Sequence, residues 1–307
     1  MRERAGRVLR PAGALDRLDE VAAWLAEWQR TDRPAVDQPV AIVFFGDHGV
    51  AADGVSPYPA AVTKTMLEAA RAGVATVSAM TTSLGVDLYL IDVGVGAPTG
   101  NIRIEPALTP ERFEACFAAG QEVVRSAAGD LLVLGEMGIG NTTAAAALCA
   151  CLFDSPIADW VGPGTGLDRE GLAHKRRVVS QAVERVGHAT PLQALRELSG
   201  TELAALAGAT LEARRRSIPV LLDGFVVTAA VMALELARPG ALEHCWPAHI
   251  SPEPGHRLLI EFLGRSPLLD LGMRLGEASG ALTALGIVKL AAVSVVEVAT
   301  FDEWGVD

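Results

Sequence analysis

The stretch LLVLGEMGIGNTTAAAAL, residues 131–148, decides the fold class of this chain. Its first four residues form an apolar run that is typical of a buried strand. Glycines at 135, 138 and 140 then predict a tight turn, and residues 142–148 predict the start of a helix. Bare backbone N–H groups and the positive end of a helix dipole would meet at this turn, which favours an anion site. The alternative is a glycine turn that only packs the helix on the strand.

The same stretch nearly matches a nucleoside triphosphate loop. Gly135, Gly140 and Thr142 have the required spacing, but Asn141 stands where that loop needs lysine. Triphosphate hydrolysis is therefore disfavoured, and a less charged phosphate is expected, with the carboxylate of Glu136 at the end of the strand.

Composition restricts the partners. The chain has 307 residues, of which 50% are hydrophobic and 21% charged, and its formal net charge of −11 argues against nucleic acid. Four cysteines without CxxC pairing and six histidines without HExxH spacing argue against a metal site or disulfide framework. We expect no membrane span, because the apolar segment 280–301 carries Lys289 and Glu297, and with no signal-peptide pattern we expect the cytoplasm.

Strands alternate with helices along the chain, which predicts a parallel sheet flanked by helices, a Rossmann-like α/β fold. An amphipathic helix precedes the first strand, one helix is expected between the first two strands, and a loop is expected at 155–166. After residue 256 the chain is expected to be helical with one interruption at 275–280. The predicted strands are 40–45, 86–93, 131–134 and 219–222, and the two helices just named are 14–29 and 61–83.

The turns after Phe45, Leu134 and Leu222 should converge at one edge of this sheet, and the glycine turn 162–166 can join them. That edge would hold the carboxylates of Asp47, Glu136 and Asp223, with His48 beside the first. The alternative for Asp47 and His48 is a role as ordinary turn formers.

Three further positions are candidates for chemistry. Glu277 lies among small and apolar residues, so burial would raise its pKa and make it a base near neutral pH; the alternative is that it caps a helix. Lys175, two turns into a helix capped by Asp168, can reach an anion, although a solvated lysine is the commoner case. Ser56 and Tyr58 can line a pocket for a flat aromatic ligand, or form a rigid turn.

Seven motifs in this chain resemble those of the nicotinate-nucleotide:dimethylbenzimidazole phosphoribosyltransferases, and they occur in that family's order over nearly the whole chain. They are GDHGVAADGVSPYP (46–59), GEMGIGNTTAAAAL (135–148), GTGLDREGLAHK (164–175), ELAALAGA (202–209), IPVLLDGF (218–225), EPGHR (253–257) and PLLDLGMRLGEASGA (267–281).

The resemblance implies transfer of 5-phosphoribose from nicotinate mononucleotide to 5,6-dimethylbenzimidazole. The products would be nicotinate and α-ribazole 5′-phosphate, used in cobalamin nucleotide-loop assembly, and neither metal nor cofactor would be needed. It implies that Glu277 is the general base and that Glu136 and Lys175 line the active site. Ser56 and Tyr58 fall in the base-binding segment. The residues assigned to phosphate and ribose binding are Gly138, Gly140, Asn141, Thr142, Gly162, Gly164, Thr165, Asp223 and Ser251.

The resemblance also implies a homodimer and a division into a large α/β domain, 38–264, and a small helical domain built from 1–37 and 265–307. Departures from the family pattern at Ala60 and Pro252 concern the acceptor more than the reaction. Two alternatives remain open at this stage. One is transfer to another acceptor, such as adenine or a phenol, and the other is a nucleotide-binding protein without catalysis.

Overall fold

The computed structural model describes residues 1–305 and contains one five-stranded sheet with helices on both faces. All strand pairs are parallel, and the spatial order is β2-β1-β3-β4-β5. The predicted α/β fold is confirmed. The strands are β1 (Pro39–Gly46), β2 (Asp87–Gly94), β3 (Leu131–Met137), β4 (Val220–Leu222) and β5 (Cys245–Pro247).

The helices connect and cover these strands. Besides a 3₁₀ helix at Gly49–Asp53, they are α1 (Arg2–Ala5), α2 (Asp16–Gln29), α3 (Val62–Arg71), α4 (Thr76–Leu84), α5 (Pro110–Ser126), α6 (Asn141–Phe153), α7 (Ile157–Trp160), α8 (Arg169–Val186), α9 (Pro191–Leu198), α10 (Thr201–Arg215), α11 (Phe225–Ala237), α12 (Pro254–Leu263), α13 (Ser279–Val296) and α14 (Phe301–Trp304).

Alternation along β1 divides the core into two layers. Ile42 and Phe44 point toward α5, α6 and α8–α11, whereas Val43 and Phe45 point toward α2, α3, α4 and α13. Because both faces are covered, the central strands are apolar up to Glu136 at the end of β3, as is typical of buried parallel strands. β2 lies at the edge of the sheet, and its residues are half-buried or exposed.

Register brings the strand ends together. Phe45 pairs with Met137 and Leu134 pairs with Leu222, so β1, β3 and β4 end at the same edge of the sheet. The predicted convergence of the three strand-end turns is therefore confirmed, and this edge carries the site described below.

Three local predictions were wrong. The helix expected over 61–83 is two helices, α3 and α4, separated at Gly73, whose φ of +78° ends the first one. The loop expected at 155–166 contains the short helix α7. The interruption expected at 275–280 is a much longer irregular segment between the end of α12 and Ser279.

The two ends of the chain pack together. Val8 pairs with Thr300 in an antiparallel bridge, Arg4 forms an ion pair with Glu303 at 2.8 Å, and α2 packs along α13. Both α2 and α13 also cover one face of the sheet. The division into two domains remains a prediction.

Among residues 1–305, α13 is the one helix long and apolar enough to cross a membrane, but 61% of its residues are buried inside the protein. A core helix of this kind has the same length and composition as a membrane span.

Candidate active site

A cavity of about 580 Å³ opens at the carboxyl edge of the sheet. Its walls come from the turns after β3 and β4, from the loop that follows β1, and from three irregular segments, 163–165, 249–253 and 274–277. Ligands of open α/β sheets bind at such an edge. The cavity has the size of a pocket for a nucleotide-sized ligand.

Glu136 lies at the end of β3, where its side chain is almost fully buried and lines the cavity. Its Oε2 accepts a hydrogen bond from Asn141 Nδ2. Burial raises the pKa of Glu136 well above its usual range, and the nearby carboxylates, Glu202 first among them, raise it further.

Glu277 lies beside Glu136 in the lining of the cavity and is also buried. Its backbone N–H donates to the carbonyl oxygen of Glu136 at 3.0 Å, which joins the two catalytic candidates through the main chain. Its φ of +56° is unusual for a residue with a side chain, and its Oε2 is buried without a hydrogen-bond partner. Burial, and after it the charge of Asp223, raises the pKa of Glu277.

The alternative that Glu277 caps a helix is wrong for residues 1–305. α13 has Ala278 as its N-cap without a side-chain cap bond, and the buried Oε2 of Glu277 accepts no hydrogen bond.

The glycine turn leaves the N-terminal end of α6 open to the cavity, where an anion could bind. Gly140 is the N-cap of α6 with a φ of +96°, a conformation that favours glycine, and Gly138 and Gly140 both line the cavity. Asn141 and Thr142, the first two residues of the helix, line it as well. This end of the cavity is therefore rich in N–H and hydroxyl groups.

Lys175 is fully buried, so the solvated alternative for this residue is wrong. Its Nζ donates to Thr142 Oγ1 at 2.8 Å and to the carbonyl oxygen of Gly162 at 3.2 Å. Burial lowers the pKa of Lys175 to about 8, and the charge of Glu253 partly opposes that decrease. The ammonium group lies behind the lining and acts on the cavity through Thr142.

Glu253 was not identified by sequence analysis as a site residue. It is buried, lines the cavity, and accepts a hydrogen bond from the N–H of Gly164 at 2.9 Å through Oε1, while its Oε2 has no partner. The motif EPGHR that begins with this residue was the available signal. A free carboxylate oxygen at this end suits a hydroxyl donor better than a phosphate.

Ser251 is held by a neutral histidine. Both its N–H and its Oγ lie 3.0 Å from His256 Nδ1, and since the N–H can only donate, Nδ1 must accept. The other ring nitrogen lies 3.2 Å from Thr228 Oγ1, which itself donates to the carbonyl oxygen of Gly224. Burial lowers the pKa of His256 to about 3, which keeps the ring neutral.

Asp223 and His249 lie close together at the end of the cavity nearest α13. His249 lines the cavity, and its Nε2 lies 3.6 Å from Asp223 Oδ1, which also accepts from the N–H of Ala281 at 2.9 Å. Burial raises the pKa of Asp223, whereas the neighbouring His249 and the backbone N–H groups at the start of α13 lower it. Sequence analysis missed His249, because no sequence pattern indicates that it lies beside Asp223, which is 26 positions earlier in the chain.

The other end of the cavity is apolar. Val55, Met66 and Met137 line it, together with the half-buried Ser56 and with Tyr58, which is 51% exposed. This surface suits a flat aromatic ring.

The structure thus brings most predicted site residues into one cavity wall: Ser56, Tyr58, Glu136, Gly138, Gly140, Asn141, Thr142, Gly164, Thr165, Ser251 and Glu277. Lys175, Gly162 and Asp223 lie directly behind that wall. Asp47 does not join them, because its Oδ2 accepts from the N–H of Gly96 at 2.7 Å. Residues 1–305 contain no group of three histidine, cysteine or acidic side chains that could hold a metal ion.

Comparisons with known proteins give one family. A phosphoribosyltransferase family model matches residues 1–306. The chain is 48% identical to the nicotinate-nucleotide–dimethylbenzimidazole phosphoribosyltransferase of Allorhizobium ampelinum over 99% of this chain and 90% of that protein. It is 45% identical to the protein of that name from Methylorubrum extorquens, over 100% of this chain and 90% of that protein. The crystal structure of CobT from Thermus thermophilus superposes with a TM-score of 0.95 at 40% identity, covering 100% of this chain and 97% of that one.

Proposed function

The chain belongs to the nicotinate-nucleotide–dimethylbenzimidazole phosphoribosyltransferase family, and we propose how its cavity carries out that reaction. The enzyme transfers the 5-phosphoribosyl group of nicotinate mononucleotide to 5,6-dimethylbenzimidazole and releases nicotinate, a step of cobalamin synthesis. Its residues divide into those that hold the phosphoribosyl group and those that act on the proton and the developing charge.

The reaction exchanges one C–N bond for another. A benzimidazole nitrogen attacks C1′ of the ribose with inversion, and the electron pair of the old glycosidic bond returns to the pyridine nitrogen of nicotinate. Positive charge develops at C1′, as in glycoside hydrolysis. The proton of the other benzimidazole nitrogen must be removed, because the neutral product keeps both ring nitrogens without hydrogen.

Glu277 takes that proton in our proposal. The observation that supports this role most directly is its Oε2, which is buried at the cavity wall without any hydrogen-bond partner. A carboxylate in this position keeps a lone pair free for substrate, and its raised pKa makes it a stronger base than an exposed glutamate.

Glu136 stabilises the positive charge that develops on the ribosyl group. It lies next to Glu277 through the main-chain hydrogen bond, and Asn141 fixes the orientation of its carboxylate. The cationic substrate favours the ionised form of this buried carboxyl group, and a preorganised negative group in a buried site lowers the energy of a cationic transition state more than an exposed one does.

The phosphate binds at the N-terminal end of α6, against Gly138, Gly140, Asn141 and Thr142. Lys175 adds positive charge behind this site and orients the hydroxyl of Thr142. The ribose lies against the segments that contribute Gly164, Thr165 and Ser251, with Gly162 behind them. We place the benzimidazole at the apolar end, between Ser56 and Tyr58.

The family resemblance further supports a homodimer located in the cytoplasm. It also supports the small helical domain formed by 1–37 and 265–307, since the chain ends pack together.

Nicotinate release by the purified protein tests the function. The assay measures nicotinate formed from nicotinate mononucleotide, with and without 5,6-dimethylbenzimidazole, and identifies the ribosylated product by mass. We expect release that depends on the base. A panel with adenine, phenol and other benzimidazoles establishes the acceptor, and nucleotide binding without release from any acceptor would contradict the proposal.

Glu277→Gln tests the general base. The amide has the same shape but accepts a proton poorly, so we expect turnover to fall about 10²–10⁴-fold with little change in nucleotide affinity. Arg33 and Glu297 form an exposed ion pair and neither residue lines the cavity, so Glu297→Gln is a matched control of the same chemical change. Turnover of Glu277→Gln equal to that of the control would eliminate this assignment.

A further inference from the structure

Asp223 and His249 are two buried polar residues that the proposed reaction does not use. Their exposed fractions are 1% and 3%, and Asp223 Oδ2 and His249 Nδ1 have no hydrogen-bond partner. A carboxylate and an imidazole 3.6 Å apart in a buried site attract each other strongly if the ring is protonated.

Both residues hold the chain segment that carries Glu277. Asp223 Oδ1 accepts from the N–H of Ala281 in the first turn of α13, and backbone N–H groups of Gly280 and Ala278 also act on this carboxylate. The ring of His249 packs directly on Gly280, where any side chain would collide with it. Glu277 is therefore fixed between its bond to the Glu136 carbonyl and a helix start held by this pair.

We propose that Asp223 and His249 form a carboxylate–imidazolium pair that positions Glu277 and regulates its strength as a base. This inference rests on the role of Glu277 proposed above. Asp223 makes Glu277 more basic, because a second negative charge nearby disfavours another carboxylate. His249 limits that effect by neutralising Asp223. Both act through Glu277 and are positioning residues.

The remaining charges around Glu277 are distributed so that the pair can have this effect. Those on the neighbouring elements are Glu136 at the end of β3, Glu202 at the start of α10, Arg274 on the same segment as Glu277, Glu253 at the N-terminus of α12, and the neutral His256, whose ring centroid lies 6.0 Å from that of His249. Glu202 already has its own partner, His48. Arg274 is exposed and more screened by solvent.

The pH dependence of kcat/KM tests the pair, because its acid limb reports the protonation of Glu277. Asp223→Asn keeps an acceptor for Ala281 but removes the charge, so the midpoint of the acid limb should move down by about one pH unit. His249→Gln keeps a donor but removes the positive charge, so the midpoint should move up. The double variant should return near the wild-type midpoint.

His244→Gln is the matched control. His244 is another buried histidine, outside the cavity lining, whose Nε2 lies 2.9 Å from the carbonyl oxygen of Thr210. Its loss should lower thermal stability without moving the midpoint. Folding of every variant is checked by circular dichroism, and if His249→Gln does not fold, the shift in Asp223→Asn decides alone.

Several results would overturn the pairing. Unchanged midpoints with lower kcat in the two single variants would mean a structural role for the pair. Shifts of both midpoints in the same direction would mean that the two charges do not compensate each other. A rise in KM alone for His249→Gln would mean that this residue contacts the substrate directly. Failure of the proposed function is distinguishable, since Glu277→Gln would then retain turnover or the wild-type protein would release no nicotinate.

Discussion

Replacing the buried Lys175 by methionine should change the pH dependence of stability and weaken nucleotide binding. The side chain is fully buried, and burial lowers its pKa from 10.5 to about 8. Keeping it charged near pH 7 therefore costs about 3 kcal/mol relative to the unfolded chain. Methionine has a similar shape without the charge, but Thr142 and the Gly162 carbonyl lose a donor, which costs about 1–3 kcal/mol.

The sign of the pH effect follows from the direction of the shift. Between pH 8 and 10.5 the unfolded chain holds the Lys175 proton and the folded one has released it, so folded wild-type protein gains stability as the pH rises. From pH 7 to pH 10 this gain is about 2.5 kcal/mol. Lys175→Met lacks it, so the difference in unfolding free energy between the two proteins should change by that amount in favour of wild type.

Urea denaturation of both proteins at pH 7 and pH 10 measures this difference, since other titrating groups cancel. Lys289→Met, which removes an exposed lysine on α13, is the control whose difference from wild type should not vary with pH. At pH 7, calorimetry should show nicotinate mononucleotide binding to Lys175→Met about tenfold more weakly, a loss of about 1.4 kcal/mol. An equal difference at both pH values would refute the buried ammonium, and unchanged affinity would refute its effect on phosphate.

Two further predictions concern the walls of the cavity. In Gly135→Ala the new Cβ would collide with the backbone of Ala278 and displace Glu277. We therefore expect the unfolding free energy, measured by denaturation, to fall by about 1–3 kcal/mol and kcat to fall as well. Full activity would show that the segment adapts. Tyr58→Ala should raise KM for the benzimidazole about tenfold in steady-state kinetics and leave the affinity for nicotinate mononucleotide unchanged. The exposed ring of Tyr58 contributes to stacking on the benzimidazole and little to the stability of the fold. An unchanged KM would mean that the base binds elsewhere.

The fold could be predicted where the pattern is local. The apolar run before Gly135 and the helix cap of Asp168, whose carboxylate accepts from the N–H of Gly171, both formed as expected. The break at Gly73 was missed because a single glycine within a helical pattern is compatible with a continuous helix. The irregular segment before Ser279 was missed because it is stabilised by tertiary contacts, such as the bond between the Ile250 N–H and the Leu269 carbonyl.

The site could be predicted where the strand ends define it. Glu136 and the glycine turn were found because they follow a buried strand, and parallel strands end at one edge. The burial of Lys175 was not predictable, since its position in α8 has the same local pattern as a solvated lysine. His249 and Glu253 were missed for a related reason: their partners, Asp223 and Gly164, are distant in sequence and meet only in the folded chain.

The distribution of charge in the cavity matches the course of the reaction. N–H groups and Lys175 lie at the end proposed for phosphate, whereas Glu136 and Glu277 lie where the substrate is cationic. Negative charge there stabilises the pyridinium of the bound nucleotide as well as the transition state, and equal stabilisation of both would not accelerate the reaction. Glu136 therefore accelerates the reaction only as far as it stabilises the charge at C1′ more than the pyridinium, and the proton transfer to Glu277 supplies the remaining advantage. Buried carboxylates that repel one another are stronger bases, so the repulsion that costs folding stability is relieved when Glu277 accepts the proton of the benzimidazole.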